Sequence, residues 1–318
     1  MLRQGVTVSD ILYLTPEGAP NVFRAPASAL KSSGMSGWDD KRGYGFDGCS
    51  PNILMDRAEV KDGCIVFPGS TSYRLLVLPR METMTPRLVT KIINLVEAGA
   101  VVYGAPPVAS PSLSGYPECD VKVKELAAKL WGETGSPLRQ VGQGRIILDA
   151  DAGFGKKNRV ANLYPGYAVS AAVLEGMGVS EDFLSDGPVR YGHRTTASDD
   201  IYFIANTSDK QVAATCTFRV QQGVPQLWNP VTAEIRGLPQ FKHQDKTTSV
   251  PMKFEPYQSF FVIFPRKGLS KPTAAFGGLT ELAAGAVNLP EVKPFATIEG
   301  AWEVLFDPKM GGGSEGNF

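Results

Sequence analysis

The sequence predicts a multidomain chain of α/β plus all-β class, with a doubly wound layer of flavodoxin-like type followed by an antiparallel β-sandwich. Three observations carry that expectation. The stretch from Tyr73 to Tyr103 reads as strand, helix, strand, the signature of a βαβ unit with parallel strands and a right-handed crossover. Strand and helix signals keep alternating up to about residue 185, as a parallel sheet covered on both faces requires. From Arg190 onward the pattern changes to period-two runs separated by polar turns, and no helical stretch is convincing.

The βαβ unit is the firmest element. Leu75 to Leu78 is a continuous apolar run closed by Pro79, too short for a helix and suited to a strand buried on both faces. Thr85-Pro86 places a capping hydroxyl before a proline at the first helical position. Leu88, Ile92, Leu95 and Val96 recur at helical spacing, and Gly99 stands where a helix end favours a left-handed residue. Ala100 to Tyr103 is the second strand.

Ahead of this unit, Ile11 to Leu14 gives a compact strand signal before the turn-rich Pro16 to Pro20. Residues 31 to 52 form a loop dense in glycine, aromatic and charged residues, and Asn52 to Val60 reads as a short helix capped by Asn52. Asp62-Gly63 marks a hairpin turn leading into a strand. After the unit come the proline- and serine-rich loop Gly104 to Pro117, an amphipathic helix over Asp120 to Trp131, and a strand at Gly144 to Leu148. The sandwich strands are expected in DIYFIANTS, AATCTFRV, PQLWNPVTAEI, TTSVPMKF and QSFFVIF, with Trp228 and Phe260 filling the core. The expected division is 1–187 for the α/β part, 188–266 for the sandwich, and 267–318 for a polar linker and the first strand, Thr297 to Phe306, of a further β-domain.

Composition excludes some functions. Thirty-two basic residues balance 32 acidic ones with no basic stripe, so nucleic acid and anionic membranes are not expected partners. Thirty-four glycines and 24 prolines fit a chain rich in turns. Cys49, Cys64, Cys119 and Cys216 lack metal-ligand spacing, and only His193 and His243 could join them, so free and mostly buried thiols are expected rather than zinc. The first ten residues lack the apolar core of a signal peptide, and no run approaches transmembrane length.

Candidate chemistry lies beyond the carboxyl ends of the parallel strands. Gly104-Ala105-Pro106-Pro107, where a strand-to-helix nucleophile would sit, holds no cysteine, serine or histidine, and Cys119 comes too late. The glycines at 142–144 and 153–155 are not placed between strand and helix, so no phosphate loop is expected. The loop Trp38 to Asp47 is richer. Rings beside carboxylates can grip a sugar, which makes Trp38, Asp39, Asp40, Arg42, Tyr44 and Asp47 candidate substrate contacts. Asp39, Asp40 and Asp47 could equally ligate a hard cation, and a solvated loop with ion pairs to Arg42 explains the same residues. His193 and Arg194, ahead of the first sandwich strand, either face a substrate cleft or make hydrogen bonds between domains.

Several segments together resemble the downstream half of bacterial α-L-rhamnosidases of glycoside hydrolase family 106. They are LRQGVTVSDILYL, RGYGFDGCSPNIL, the βαβ stretch, HRTTASDDIYFIANTS, PQLWNPVTAEI and PYQSFFVIF, with GAWEVLFDP resembling the opening of a sugar-binding β-domain. The resemblance implies a catalytic (β/α)₈ barrel ahead of residue 1, then a glutamine amidotransferase-like α/β domain, then β-domains. It implies that catalytic carboxylates, and any divalent cation such as calcium, belong to the barrel; no position here matches them, so no catalytic or metal residue and no cofactor is assigned to this chain. The implied partners are carbohydrate, the barrel in cis and, by analogy with family 42 β-galactosidases, a second copy of the chain; the implied location is secreted or periplasmic. Two alternatives stay open: a stand-alone carbohydrate-binding or oligomerisation protein, and an active amidotransferase-like hydrolase, which would need a reactive cysteine.

Overall fold

The structure is a computed structural model, and it describes residues 1–18, 21–31, 40–69, 71–132, 136–152, 163–266, 287–289, 295–297, 299–301, 303–305 and 315–317. The chain divides into two compact units, Met1–Asn288 and Leu289–Phe318.

In the first unit, β1 (Val6–Thr7) leads into β2 (Ile11–Leu14). The short strands β3 (Leu30–Lys31) and β4 (Asp40–Lys41) pair antiparallel, and β5 (Phe46–Cys49) follows. Helix α1 spans Pro51–Arg57, and its cap is Ser50 rather than Asn52: the Ser50 hydroxyl accepts from the Ile53 amide at 3.4 Å. Pro51 explains the difference, since a residue with no N–H and a fixed φ suits the first helical position and leaves its predecessor to cap. The chain then forms the hairpin β6 (Glu59–Lys61) and β7 (Cys64–Val66) across Asp62 and Gly63, whose φ values of 51° and 74° are those of a tight primed turn. Strand β8 (Ser72–Tyr73) completes that three-stranded sheet.

The βαβ unit has the form its sequence predicts. It comprises β9 (Leu75–Val77), α2 (Pro86–Glu97) and β10 (Val101–Gly104), with the two strands parallel and adjacent. The Thr85 hydroxyl accepts from the Leu88 amide at 3.3 Å, and Gly99 has φ of 123° just past the helix end. Helix α3 (Glu118–Trp131) precedes β11 (Leu138–Val141) and β12 (Gly144–Leu148), and α4 (Tyr167–Gly176) follows. Strand β11 had no clear sequence signal, because Leu138-Arg139-Gln140-Val141 pairs on one side only and carries little apolar content.

The sheet order is β5-β2-β9-β10-β12-β11, parallel throughout except for β11 at the edge. Alternate side chains face opposite layers. Leu12, Leu14, Leu76, Val102 and Ile146 pack under α1, α2 and α3, whereas Ile11, Tyr13, Leu75, Val77 and Val101 pack with Tyr164, Tyr167, Ala171 and Leu174 on the side of α4. Burial of both faces is what turns these strands into unbroken apolar runs.

The β layer contains β13 (Phe183–Ser185), β14 (Val189–Thr195), β15 (Asp199–Asn206), β16 (Val212–Phe218), β17 (Gln226–Trp228), β18 (Ile235–Gly237), β19 (Lys242–Gln244), β20 (Thr247–Phe254) and β21 (Ser259–Pro265). They form two antiparallel sheets, β1-β14-β15-β21-β17-β18 and β13-β16-β20-β19. Ring contacts between Phe218 and both Tyr202 and Phe264, and between Phe254 and Phe260, pack the sheets face to face. Phe260 lies in this core as expected, but Trp228 does not. Leu227 registers with Val262 and Trp228 with Phe261, so the period of two puts the indole on the opposite face. Pro251 is tolerated within β20 because its carbonyl accepts from the Asn288 side chain, turning its polar edge away from β16.

The two layers interleave along the chain. Residues 6–7 join the β layer before the first parallel strand, and 183–185 join it before residue 188. In the second unit, β22 (Glu303–Leu305) pairs antiparallel with β23 (Glu315–Asn317). Of the expected linker from Lys267 to Pro294, all but residues 287–289 lies outside the described residues.

Candidate functional site

Two polar clusters flank the parallel sheet. At its carboxyl end, Arg80 donates through Nε and Nη2 to the two carboxylate oxygens of Asp149, at 2.6 and 3.0 Å. The Tyr103 hydroxyl donates to the same carboxylate at 3.1 Å. Glu17 accepts at 2.7 Å from both the Thr85 amide and the Thr85 hydroxyl, so the exposed N–H end of α2 is met by the chain's own carboxylate. Gly104 to Pro107, in line with β10, bears no nucleophile. Cys49, Cys64, Cys119 and Cys216 are all free, and burial pushes the thiols of Cys49 and Cys216 up to about 11 and about 12, away from nucleophilic thiolate.

The other cluster lies at the amino ends of β2 and β9, where the α/β layer meets the β layer. Asp10, directly before β2, accepts from Arg74 Nη1 at 2.7 Å and from Arg219 Nη2 at 3.1 Å. Arg219 Nη2 is also 3.2 Å from Asp182 Oδ1. Asp182 faces His193 Nδ1 at 2.9 and 3.1 Å and accepts from the Tyr202 hydroxyl at 3.2 Å. On the far side of the imidazole, Nε2 is 3.4 Å from Asp200 Oδ1, an ion-pair separation without hydrogen-bond geometry. Asp200 is held in turn by Arg266 through Nη2 and Nε, at 2.9 and 3.2 Å. The result is one alternating series, Arg74, Asp10, Arg219, Asp182, His193, Asp200, Arg266, running from one half-exposed arginine to another through a buried middle.

Burial dominates the electrostatics, and the partners decide its outcome. Burial raises the Asp10 carboxyl above its usual range, with Arg219 opposing and Asp182 adding to the rise. Burial would raise Asp182 too, but His193 and Arg219 reverse it and leave it lowered. Asp200 is likewise desolvated yet held down at about 2 by His193 and Arg266. Burial alone would lower His193, and its two facing carboxylates raise it instead.

The expected substrate-binding residues reach different places. Trp38 and Asp39 lie outside the described residues, as does the side chain of Asp40. The Arg42 guanidinium donates to the Ser28 carbonyl and sits 4.5 Å over the Tyr167 ring. Tyr44 is fully buried, and its hydroxyl donates to the Val179 carbonyl at 2.8 Å. Asp47 is half-exposed, accepting from the Tyr73 hydroxyl at 3.1 Å and lying 3.4 Å from Lys41. Of the two expectations for His193 and Arg194, their contacts are those of residues that join layers. His193 is buried in the charge series, and Arg194 binds the N-terminal segment through the carbonyls of Gln4 and Gly5 and the Thr7 hydroxyl. The loop does reach that junction through its backbone: the Gly43 carbonyl accepts from the amides of Asp182 and Phe183 and from the Tyr191 hydroxyl. Among the described residues no group of three or more His, Cys, Asp or Glu is placed to hold a metal ion.

Sequence reasoning missed Asp10, Arg74, Asp182, Asp200, Arg219 and Arg266. The available signal was a charge abutting an apolar strand at Asp10 and Arg219, which marks a strand end without saying what will cover it.

The sequence model of the glycoside hydrolase family 106 α-L-rhamnosidases matches residues 1–243. The chain belongs to that family. A Formosa agariphila protein named "Putative beta-glucuronidase" is 31% identical over 303 residues, which is 94% of this chain and 22% of that protein. The rhamnosidase of Novosphingobium sp. PP1Y shares its fold, with a TM-score of 0.69 and 24% identity over 100% of this chain and 27% of its own. A β-galactosidase from Bacillus circulans sp. alkalophilus matches at a TM-score of 0.44 and 10% identity, over 83% of this chain and 42% of its own. The family 106 chain thus spans about a quarter of the length of the first two of these proteins, 22% and 27%.

Proposed function

We propose that the chain is the accessory, non-catalytic portion of an α-L-rhamnosidase-like glycoside hydrolase, supporting a catalytic barrel carried elsewhere in the parent protein and acting on complex glycans. The observation that carries this reading is the state of the buried carboxylates. Asp10, Asp149 and Asp182 each already face an arginine, and Asp182 a histidine as well. Glycoside hydrolysis needs two carboxyl groups facing each other across the scissile bond, one of them protonated. Each of these carboxylates faces cations rather than a second carboxyl group across an open cleft, which supports a non-catalytic reading. Any divalent cation is assigned to the barrel.

We infer further that the α/β layer is of the flavodoxin-like, amidotransferase-like type. Numbered along the chain, its five parallel strands run 2-1-3-4-5, an order that supports this reading. The proposed division keeps 1–187, 188–266 and 267–318 as parts, with β1 and β13 as the strands that cross it. The loop 38–47 is proposed to face the glycan or the barrel through Trp38, Asp39, Asp40 and Asp47, while Arg42 and Tyr44 anchor its return to the core.

The decisive test measures hydrolysis of aryl α-L-rhamnoside and aryl β-glucuronide by the 318-residue chain beside the parent protein extended upstream. Activity confined to the longer protein is expected, and turnover by the short chain overturns the proposal. In the longer protein, Trp38→Ala and Asp47→Ala should raise KM, and unchanged kinetics would remove the loop from the glycan site.

A further inference from the structure

His193 is enclosed by acceptors on both sides. Its Nδ1 meets the Asp182 carboxylate at 2.9 Å and its Nε2 stands 3.4 Å from Asp200. A neutral imidazole carries one N–H and one lone pair. Whichever tautomer it chose, the lone pair would confront a carboxylate, leaving Asp182 to Arg219 and Tyr202, or Asp200 to Arg266, in a site where a buried charge is costly. Only the doubly protonated ring sets a positive charge against both carboxylates, donating to Asp182 and standing at ion-pair distance from Asp200. The ring plane is fixed by stacking on Tyr202, with centroids 3.8 Å apart and planes 13° from parallel, so rotation away from either carboxylate is blocked.

The two carboxylates belong to different parts of the structure. Asp182 ends the segment that leaves α4, and its backbone amide is tied to Gly43 of the α/β layer. Asp200 lies on β15, in the sheet that also takes up β1. We propose that His193 is a protonation-dependent latch: as an imidazolium it clamps the exit from the α/β layer to the β layer, and loss of its second proton on the alkaline side slackens that junction.

The groups facing the latch fix its direction. Asp182 comes from the segment before β13, Asp200 and Tyr202 from β15, and Tyr191 from the histidine's own strand. Arg219 at the end of β16 acts through Asp182, and Arg266 after β21 acts through Asp200. Asp10 and Arg74 stand one link beyond Arg219. With the imidazolium the series alternates in sign throughout. Without it, Asp182 and Asp200 face a neutral ring. Because the folded-state value of His193 is raised above 6.5, its contribution to stability is complete below that pH and is lost as pH rises through the raised value.

The test follows the 318-residue chain between pH 6 and pH 9. Nitrogen-15 spectra of the His193 ring should show both nitrogens protonated at pH 6 and a titration above 6.5. A singly protonated ring at pH 6 overturns the latch. Amide exchange at Asp182 and Phe183, corrected for intrinsic rates, should lose protection as pH rises across that range. His193→Gln, which keeps an amide donor and cannot titrate, should abolish this pH dependence; an unchanged slope refutes the proposal. If that variant does not fold, Asp200→Asn supplies the second route. Removing one facing charge should lower the ring's titration midpoint, and an unmoved midpoint counts against the latch.

Discussion

The two ends of the parallel sheet use the same chemistry for different purposes. At the carboxyl end, Arg80, Asp149 and Tyr103 close a bidentate pair wholly within the α/β layer. At the amino end, Asp10 and Arg74 open a series that leaves the layer and passes through Arg219, Asp182, His193 and Asp200 to Arg266. The carboxyl end is where parallel sheets present ligand sites, yet here it holds a self-contained pair and a helix terminus met by Glu17. The amino end carries the longer network because that is where the second layer docks. A charge pair inside one layer can rigidify a loop, whereas a charge series across two layers sets how they sit together.

The comparison is broken most severely at its centre. Arg219 contacts Asp10 and Asp182, both with fully buried side chains, and is itself only 14% exposed. Arg219→Met keeps the apolar stem of the side chain but removes the guanidinium, leaving Asp10 to Arg74 and Asp182 to His193 and Tyr202 alone, so unfolding free energy should fall by about 3–5 kcal/mol, measured by urea titration at pH 7. A loss below about 1 kcal/mol would mean water reaches the junction readily and the series is ornamental.

At the other end, Arg80→Met leaves only Asp149 unpaired, and that carboxylate keeps the Tyr103 hydroxyl and the Asp151 amide. The expected loss is about 1.5–3 kcal/mol, the scale of a hydrogen bond to a charged group. Because the pair lies within one layer, exchange protection at the Asp182 amide should stay unchanged in this variant and fall in Arg219→Met. Equal falls in both would erase the distinction between local and bridging networks.

The same contrast explains what the sequence revealed. The βαβ unit was legible because its signals are local: a Thr-Pro cap, helical spacing from Leu88 to Val96, and Gly99 at the end. The sandwich strands were legible from period two, and one of them, Thr247–Phe254, with its alternating burial, coincides with its predicted run. Ser50 and the β11 edge were misread or missed because one depends on a neighbouring proline and the other pairs with a single strand. Of the junction only His193 and Arg194 were legible, as residues that could make hydrogen bonds between domains, and the charges around them were not. Asp10 and Arg219 are 209 positions apart, and no period in the chain says that a charge at one strand end will meet a charge at another.

Separation alone does not make an ion pair matter, and the surface supplies the control. Lys129 Nζ lies 2.8 Å from Glu97 Oε1 between α3 and α2, nearly the 2.7 Å that separates Arg74 from Asp10. Both partners of the surface pair are 57% and 40% exposed, so water and salt screen the attraction and two long side chains lose freedom to form it. Lys129→Ala should therefore change stability by no more than about 0.5 kcal/mol, and that small effect should shrink further in 1 M salt. The Asp10 carboxylate is fully buried, and its pairs should resist the same salt. If salt weakened the wild-type junction as much as it weakened the α2–α3 pair, the charge series would be hydrated along its length, and burial rather than distance would lose its place as the deciding variable.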